Sequence, residues 1–534
     1  MTTPMRAFVL AAAALLPMGV LDLAPGVSFA QRAEAQEDFV SRVNNEYRPI
    51  SATRRSDTIL LPLLAKMDKA PAGVNTPDKA ALMPANSPEF AAAAEWAQAP
   101  AQKAVLEALH KVASEADWKQ AYAFGQPYGA DGVSPEIIRT GLYTELGDPP
   151  LLAAAKHMYL PALDAMAALA NVEATRLTAE GKAADAVTLM IDLAYFGRQM
   201  ADRQFFAEVA WGLGLIAHAM ERARDIAYTD LRGQQKYEVT QVPDQIKRLT
   251  ESEQGYMNLE RIKYPVANRV AAEQLNARLY GERGAINENV FAATMSRLGA
   301  SDFPLRLFSV AAQYQSAAKA QLNGFDAADS VRSVHNDFQR RWTTHYFDRL
   351  RDIKSDYEKL DRARVAVVET TTPNMAQLIE MRQKAKVEAA GTRMSLALVA
   401  FAEHNKNLPP TLASVRPRWI DRLEIDYYDA AVGRGGTPFF SYFIPMPKPK
   451  DPRDVAKPHE MQVYTSRGET NFKVNLQNDV WVLFSIGTDQ RSNGARRIQN
   501  TTDVVQGADY LMWPPVLSLY RQHLIDRGDL KVTE

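Results

Sequence analysis

The 534-residue chain contains no cysteine. Disulfides, thiolate metal ligands, cysteine nucleophiles and a lipid anchor on cysteine are therefore excluded, and packing must supply the stability. Charge of one sign is also lacking, because 62 Lys+Arg against 63 Asp+Glu leave a net −1. A dedicated nucleic-acid binder shows a basic excess, so no nucleic-acid partner is expected. Long apolar runs are missing as well. "AFVLAAAALL" (Ala7–Leu16) and "SLALVAFA" (Ser395–Ala402) come nearest, and both fall short of the roughly 20 residues a membrane helix needs. No membrane span is expected once the N-terminal segment is removed.

Catalytic signatures are equally scarce. None of the eight histidines forms an HExxH pair, and neither a GxSxG elbow nor a GxxxxGK phosphate loop occurs. The G-x-G of "WGLGLIAHA" lies inside an apolar helical stretch rather than after a strand. Gly212 and Gly214 therefore read as points of close helix packing, not as a dinucleotide site. His335 and His345 are ten residues apart and fall on loosely opposed helix faces at about 100° per residue. They read as surface or interface histidines rather than as a metal pair.

What is present points to export. Arg6, the apolar run 7–16 and the small residues of "SFA" (Ser28–Ala30) make a secretory signal over residues 1–30, with cleavage before Gln31. "AEA" (Ala33–Ala35) offers a second cleavage point before Gln36. The expected location is exported, periplasmic or extracellular. The 46% hydrophobic content supports a large core, and the length suggests two to four domains.

Helical patterning dominates residues 38–235. Ser87–Pro88 suits a helix start. The stretch 148–181 is alanine-rich and helical throughout until Gly181 breaks it, and residues 182–203 and 205–227 resume the pattern. Glycine allows a tight reversal at "AEGK", and Ala186 lets the two helices approach. A polar stretch at 228–243 marks a boundary. A second helical block spans 243–370, and the sign-alternating charges of 326–369 predict one long solvated helix within it.

The chain changes character at 375–534. An amphipathic helix over 375–405, with Met394, Leu398 and Phe401 on one face, stops at "NKNLPP". Strand-like runs follow at 439–444, 461–466, 472–476 and 480–486. In "FKVNL", Phe472, Val474 and Leu476 alternate with polar residues, as in a half-buried strand. In the last run Val482, Phe484 and Ile486 face a core, and Gly487 lets the chain leave the sheet. The expected fold is mainly α with a C-terminal α+β module: an irregular helical hairpin domain, then a long helix packed on a small antiparallel meander, closed by a short final helix. Asp426 and Asp429 of "DYYDAAVGRGG" read as a surface loop rather than an acid–base pair. Residues 446–460, rich in Pro and Lys, read as a solvated connection, with an acidic partner or envelope polymer as the alternative.

The hairpin at "AEGK", with Ala186 after it, resembles a tetratricopeptide-type hairpin. The run "LALVAFAEHNKNLPPTLASV", short strands, "LFSIGTDQRSNGAR" and "TTDVVQGADY" resembles the globular part of type II secretion pseudopilins. The whole chain looks similar to large bacterial exported proteins that combine the two. Only the fold is carried over, because no prepilin signature opens the chain and the module follows more than 350 residues. In some pseudopilins the matching loop binds calcium, which implies Asp489 and Asp503 as acidic ligands here with Asn493 adding an oxygen. Arg491, Arg496 and Arg497 oppose a cation, and the alternative is that Asp489 caps its own turn. The expected function is that of a non-enzymatic interaction or scaffold protein of the cell envelope with a protein partner. The alternative is an envelope hydrolase with its site in an interdomain cleft.

Overall fold

Gly181 takes φ +76° and reverses the chain between two helices, α1 (Leu160–Ala179) and α2 (Ala183–Ala201). Ala186 is fully buried at their junction. The computed structural model that shows this describes residues 39–232, 237–299, 307–445, 458–465, 471–476, 481–500 and 507–533. The signal segment with Gln31 and Gln36, nearly all of 446–460, and Asp503 lie outside the described residues. Helix accounts for 57% and strand for 9%, so the protein is mainly helical with a C-terminal sheet.

Helix α1 begins at Leu160, not at residue 148, with Pro161 in its first turn, where no N–H partner is needed. The preceding segment forms a two-stranded ribbon, 144–145 against 156–157, and a short turn of helix. Residues 87–113 are split in two, Phe90–Gln98 and Pro100–Ala113, and the first of these starts two residues beyond Ser87–Pro88.

Helix α3 (Phe206–Arg232) crosses α2 where Gly197 meets Gly212. A Cβ built on Gly212 would stand 2.5 Å from both the Gly197 carbonyl oxygen and the Ala201 nitrogen, so backbone meets backbone there. Gly214 needs no such room: its Cβ would meet only the Met381 methyl at 3.7 Å.

The long charged helix expected over 326–369 does not form. Helix α4 (Gly324–Thr343) ends with Thr344 in extended backbone. Arg341 reaches past the helix end to the carbonyls of Leu350 (2.8 Å) and Ile353 (3.0 Å), and Asp337 accepts the Asp356 N–H at 3.1 Å. A capping box of Ser355 and Glu358 then starts a separate turn. The alternating charges thus fold the chain back on itself instead of lining a solvated face.

Helix α5 (Met375–Asn405) is buried on every side, not on one face. It lies between α3 and the sheet, and Gly391 is the point where Met512 presses directly on the helix backbone. Its buried charges all have partners: Arg393 with Glu424 at 2.6 Å, Lys386 with Glu260, Arg382 over the Trp342 ring at 4.0 Å, and Glu388 as described below. The apolar core runs without interruption from the helices into the sheet.

The sheet has six strands: β1 (Ser441–Phe443), β2 (His459–Tyr464), β3 (Asn471–Leu476), β4 (Val482–Ser485), β5 (Arg497–Gln499) and β6 (Asp509–Trp513). Their spatial order is β1-β4-β6-β5-β2-β3. The sheet is mixed rather than an antiparallel meander, because β5 pairs in parallel with both β2 and β6. β3 is half-buried as its alternation predicts, whereas β4 is buried on both faces. Helix α6 (Val516–Arg527) closes the chain. No helix of the described residues is long and apolar enough to cross a membrane.

Candidate functional site

Strand β4 ends at Ser485, and Gly487 turns the chain out of the sheet with φ +76°. A Cβ there would stand 2.9 Å from the Ala508 carbonyl oxygen, so both the angle and the space select glycine. Asp489 uses its two oxygens as acceptors for the N–H groups of Arg491 (3.0 Å) and Gly507 (2.6 Å). Asn493 accepts the N–H groups of Arg496 and Arg497, both at 2.7 Å, and donates to the carbonyls of Arg497 (3.0 Å) and Gly507 (2.7 Å). Both residues act as caps of the loop backbone. No group of three histidines or carboxylates poised for a metal occurs among the described residues.

Asp509 at the start of β6 completes this loop, and sequence reasoning missed it. It accepts the N–H groups of Asn493 (3.2 Å) and Ala495 (2.8 Å). Burial pushes its carboxyl up to about 6; the two N–H groups only partly offset this, and the charge of Asp489 adds to it. Asp426 behaves alike. It is buried rather than in a surface loop, and burial raises it to about 6 against the bonds from Ser485, Tyr428 and Ile486. Asp429 caps Ala431 at 2.8 Å, so the two aspartates are separate caps and not a facing pair. Gln490, at φ +61°, latches this segment to the loop by accepting the Ala430 N–H at 2.6 Å and donating to Tyr428.

The histidines also part company. His335 lies inside α4, wholly buried against the Tyr264 hydroxyl at 3.0 Å, and burial lowers it to about 4. It is not a surface histidine. His345 lies beyond the helix end, packed on Gly433.

The junction of α3 with the C-terminal part is built from charges that no motif announced. Glu388 of α5 accepts Arg224 of α3 at 2.5 Å and the Tyr510 hydroxyl of β6 at 2.5 Å. Glu221 accepts the Asn500 side chain at 2.8 Å and the Leu517 N–H at 3.0 Å. Asp225 takes Arg521 through two bonds, 2.8 and 2.7 Å, together with Arg222 and Ser518. Burial alone would raise the Asp225 carboxyl, but Arg521 and Arg222 hold it down to about 2. A cavity of about 720 Å³ opens beside this cluster, between α1, α3, β3 and α6.

A second cavity of about 580 Å³ lies between α1, α3 and α5. Asp78, Asp164, Trp211 and His218 line it. His218 Nδ1 stands 3.7 Å from Asp78, and Trp211 donates to Asp164 at 2.8 Å. Burial raises the Asp164 carboxyl, with the charge of Asp78 adding to it.

Searches against family models, curated proteins and solved structures find no match for this chain.

Proposed function

We propose that this is an exported cell-envelope protein, periplasmic or extracellular, that works by binding and not by catalysis. Its helical surface and its pseudopilin-like C-terminal module serve as a scaffold for a protein partner. One observation carries the reading. The described acidic groups of the C-terminal loop, Asp489 and Asp509, are spent on backbone N–H groups, and the larger junction cavity is lined by apolar, neutral polar and cationic side chains with Asp526 as its one carboxylate. Helix α5, buried between α3 and the sheet, joins the two parts through one continuous core, which suits presentation of surface better than closure on a substrate. The test is photo-crosslinking in the native envelope from the exposed positions Trp118, Phe325 and Phe439. One recurring protein partner supports the reading, and the absence of any partner from all three positions overturns it.

The alternative, an envelope hydrolase, is favoured by the smaller cavity. A carboxyl raised by burial, Asp164, stands there near an Asp78–His218 pair, which is the pairing of acid and base that hydrolysis needs. Turnover of purified envelope polymers that falls at least about 100-fold in Asp164→Asn would establish it; equal turnover in the variant would dismiss it.

A further inference from the structure

The 720 Å³ cavity carries an inference beyond partner binding. Two guanidinium groups, Arg222 and Arg521, share the single carboxylate of Asp225, so the cluster holds one positive charge in excess. Arg521 spends its remaining donors on the carbonyls of Ala81 and Leu82. Arg222 gives one further bond, to Thr175 at 2.6 Å, and its Nε has no partner. Burial, with Arg521 adding to it, holds the Arg222 guanidinium below its ordinary value despite Asp225. A buried charge in excess is costly unless an anion completes it.

The wall beside the cluster is of the other kind. Ile226, Leu476 and Leu519 line the same cavity as Arg222 and Arg521. At the rim, Lys473 is exposed and 3.3 Å from Glu460, and His523 stacks on Phe472 with ring centroids 4.7 Å apart. The one carboxylate on the wall itself, Asp526, accepts Gln522 at 2.7 Å. The volume falls within the range of small-molecule sites, about 300–1,000 Å³.

We infer that this cavity binds an amphipathic anion, its carboxylate or phosphate head beside Arg222 and its aliphatic tail on Ile226, Leu476 and Leu519. The two head chemistries are distinguished by calorimetric titration of the full-length protein with decanoate and with decyl phosphate. Decyl maltoside serves as the neutral amphiphile, and acetate and inorganic phosphate as heads without tails. At least one of the two anionic amphiphiles binds about tenfold more tightly than decyl maltoside, and the short anions bind far more weakly. Lys473→Glu, on the exposed rim, weakens the anion about threefold or more while the neutral amphiphile is unaffected. Leu519→Trp fills the cavity and abolishes binding; Leu519→Met, which keeps the volume, retains it and shows that the fold tolerates change there. Equal affinity for neutral and anionic amphiphiles overturns the inference, as does undiminished binding in a folded Leu519→Trp variant.

Discussion

Two buried polar clusters in this protein solve the same problem in opposite ways. Near the start of α3, Glu208 meets Arg203 at 2.7 Å and also accepts the Tyr128 hydroxyl at 2.7 Å and that of Tyr159. Arg203 lies over the rings of Tyr47 (4.2 Å) and Tyr128 (4.4 Å). At the C-terminal loop, Asp509 accepts backbone N–H groups, with Asp489 nearby and no cation among its hydrogen-bond partners in the described residues. Burial presses on both carboxylates. At Glu208 the Arg203 charge and His157 outweigh it and the carboxyl is lowered; at Asp509 nothing outweighs it and the carboxyl is raised. A full opposite charge offsets burial where a pair of amide dipoles does not.

The comparison breaks most visibly at the ion pair. Arg203→Met leaves Glu208 buried and uncompensated and costs about 3–5 kcal/mol in chemical denaturation. Adding Glu208→Gln recovers more than half of that loss; no recovery would mean that Arg203 acts through its ring contacts alone.

A smaller effect separates packing from electrostatics within α3. Gly212→Ala forces backbone apart at the crossing with α2 and costs about 1–3 kcal/mol, whereas Gly214→Ala, two residues on, changes the stability measured by chemical denaturation by less than about 1 kcal/mol in either direction.

Proton linkage sharpens the contrast further. Asp509 and Asp426 titrate near 6 when folded, above the unfolded value of about 3.9, so the native state holds more protons between those limits. Their contribution makes stability fall as pH rises from about 4 to about 6. Between pH 7 and 5 these two groups add stability while the buried His335, lowered to about 4, and His157 oppose them, so the contrast is read between variants: Asp509→Asn removes part of the stabilisation that acid brings. Glu208 has the opposite sign: its contribution is present above the unfolded value of about 4.3 and is lost as pH falls through its folded value. The helical cluster therefore weakens on acidification: His157 beside Glu208, lowered by burial, resists protonation as pH falls below its ordinary 6.5, and the loss at Glu208 follows in stronger acid, as hydrogen exchange at Phe205 would show.

The smallest expected effect is that of calcium. With Asp489 and Asn493 capping backbone, millimolar calcium leaves the melting midpoint unchanged relative to chelator. An upward shift would show that Asp489 gathers Asp503 around an ion.

Some of this was legible in the sequence. The double proline at 409–410 ends α5, and Gly181, Gly212 and Gly487 each mark a reversal or crossing that a side chain would obstruct. Local chemistry decides those features. The strand order was not legible, because the place of β5 in parallel between β2 and β6 is settled by tertiary pairing that no local pattern in the sequence marks. The break after Thr343 was hidden because Arg341 and Asp337 bond to backbone beyond the helix, and a charge pattern does not distinguish that from a solvated face. Asp509 was hidden in the apolar run "DYLMW", and Arg203 and Glu208 form no recognised spacing.

The clamp of α3 on the last 35 residues has a consequence for synthesis. Asp225 and Arg521 are 296 positions apart, and Glu221 waits as long for the Leu517 N–H. A chain emerging from its N-terminus therefore carries charges on α3 whose partners have not yet been made. The helical half completes its core only when the final helix arrives, so vectorial folding ends with a step that joins α3 to the last helix. A chain stopped just before Pro515 is expected to accumulate as a soft, aggregation-prone species.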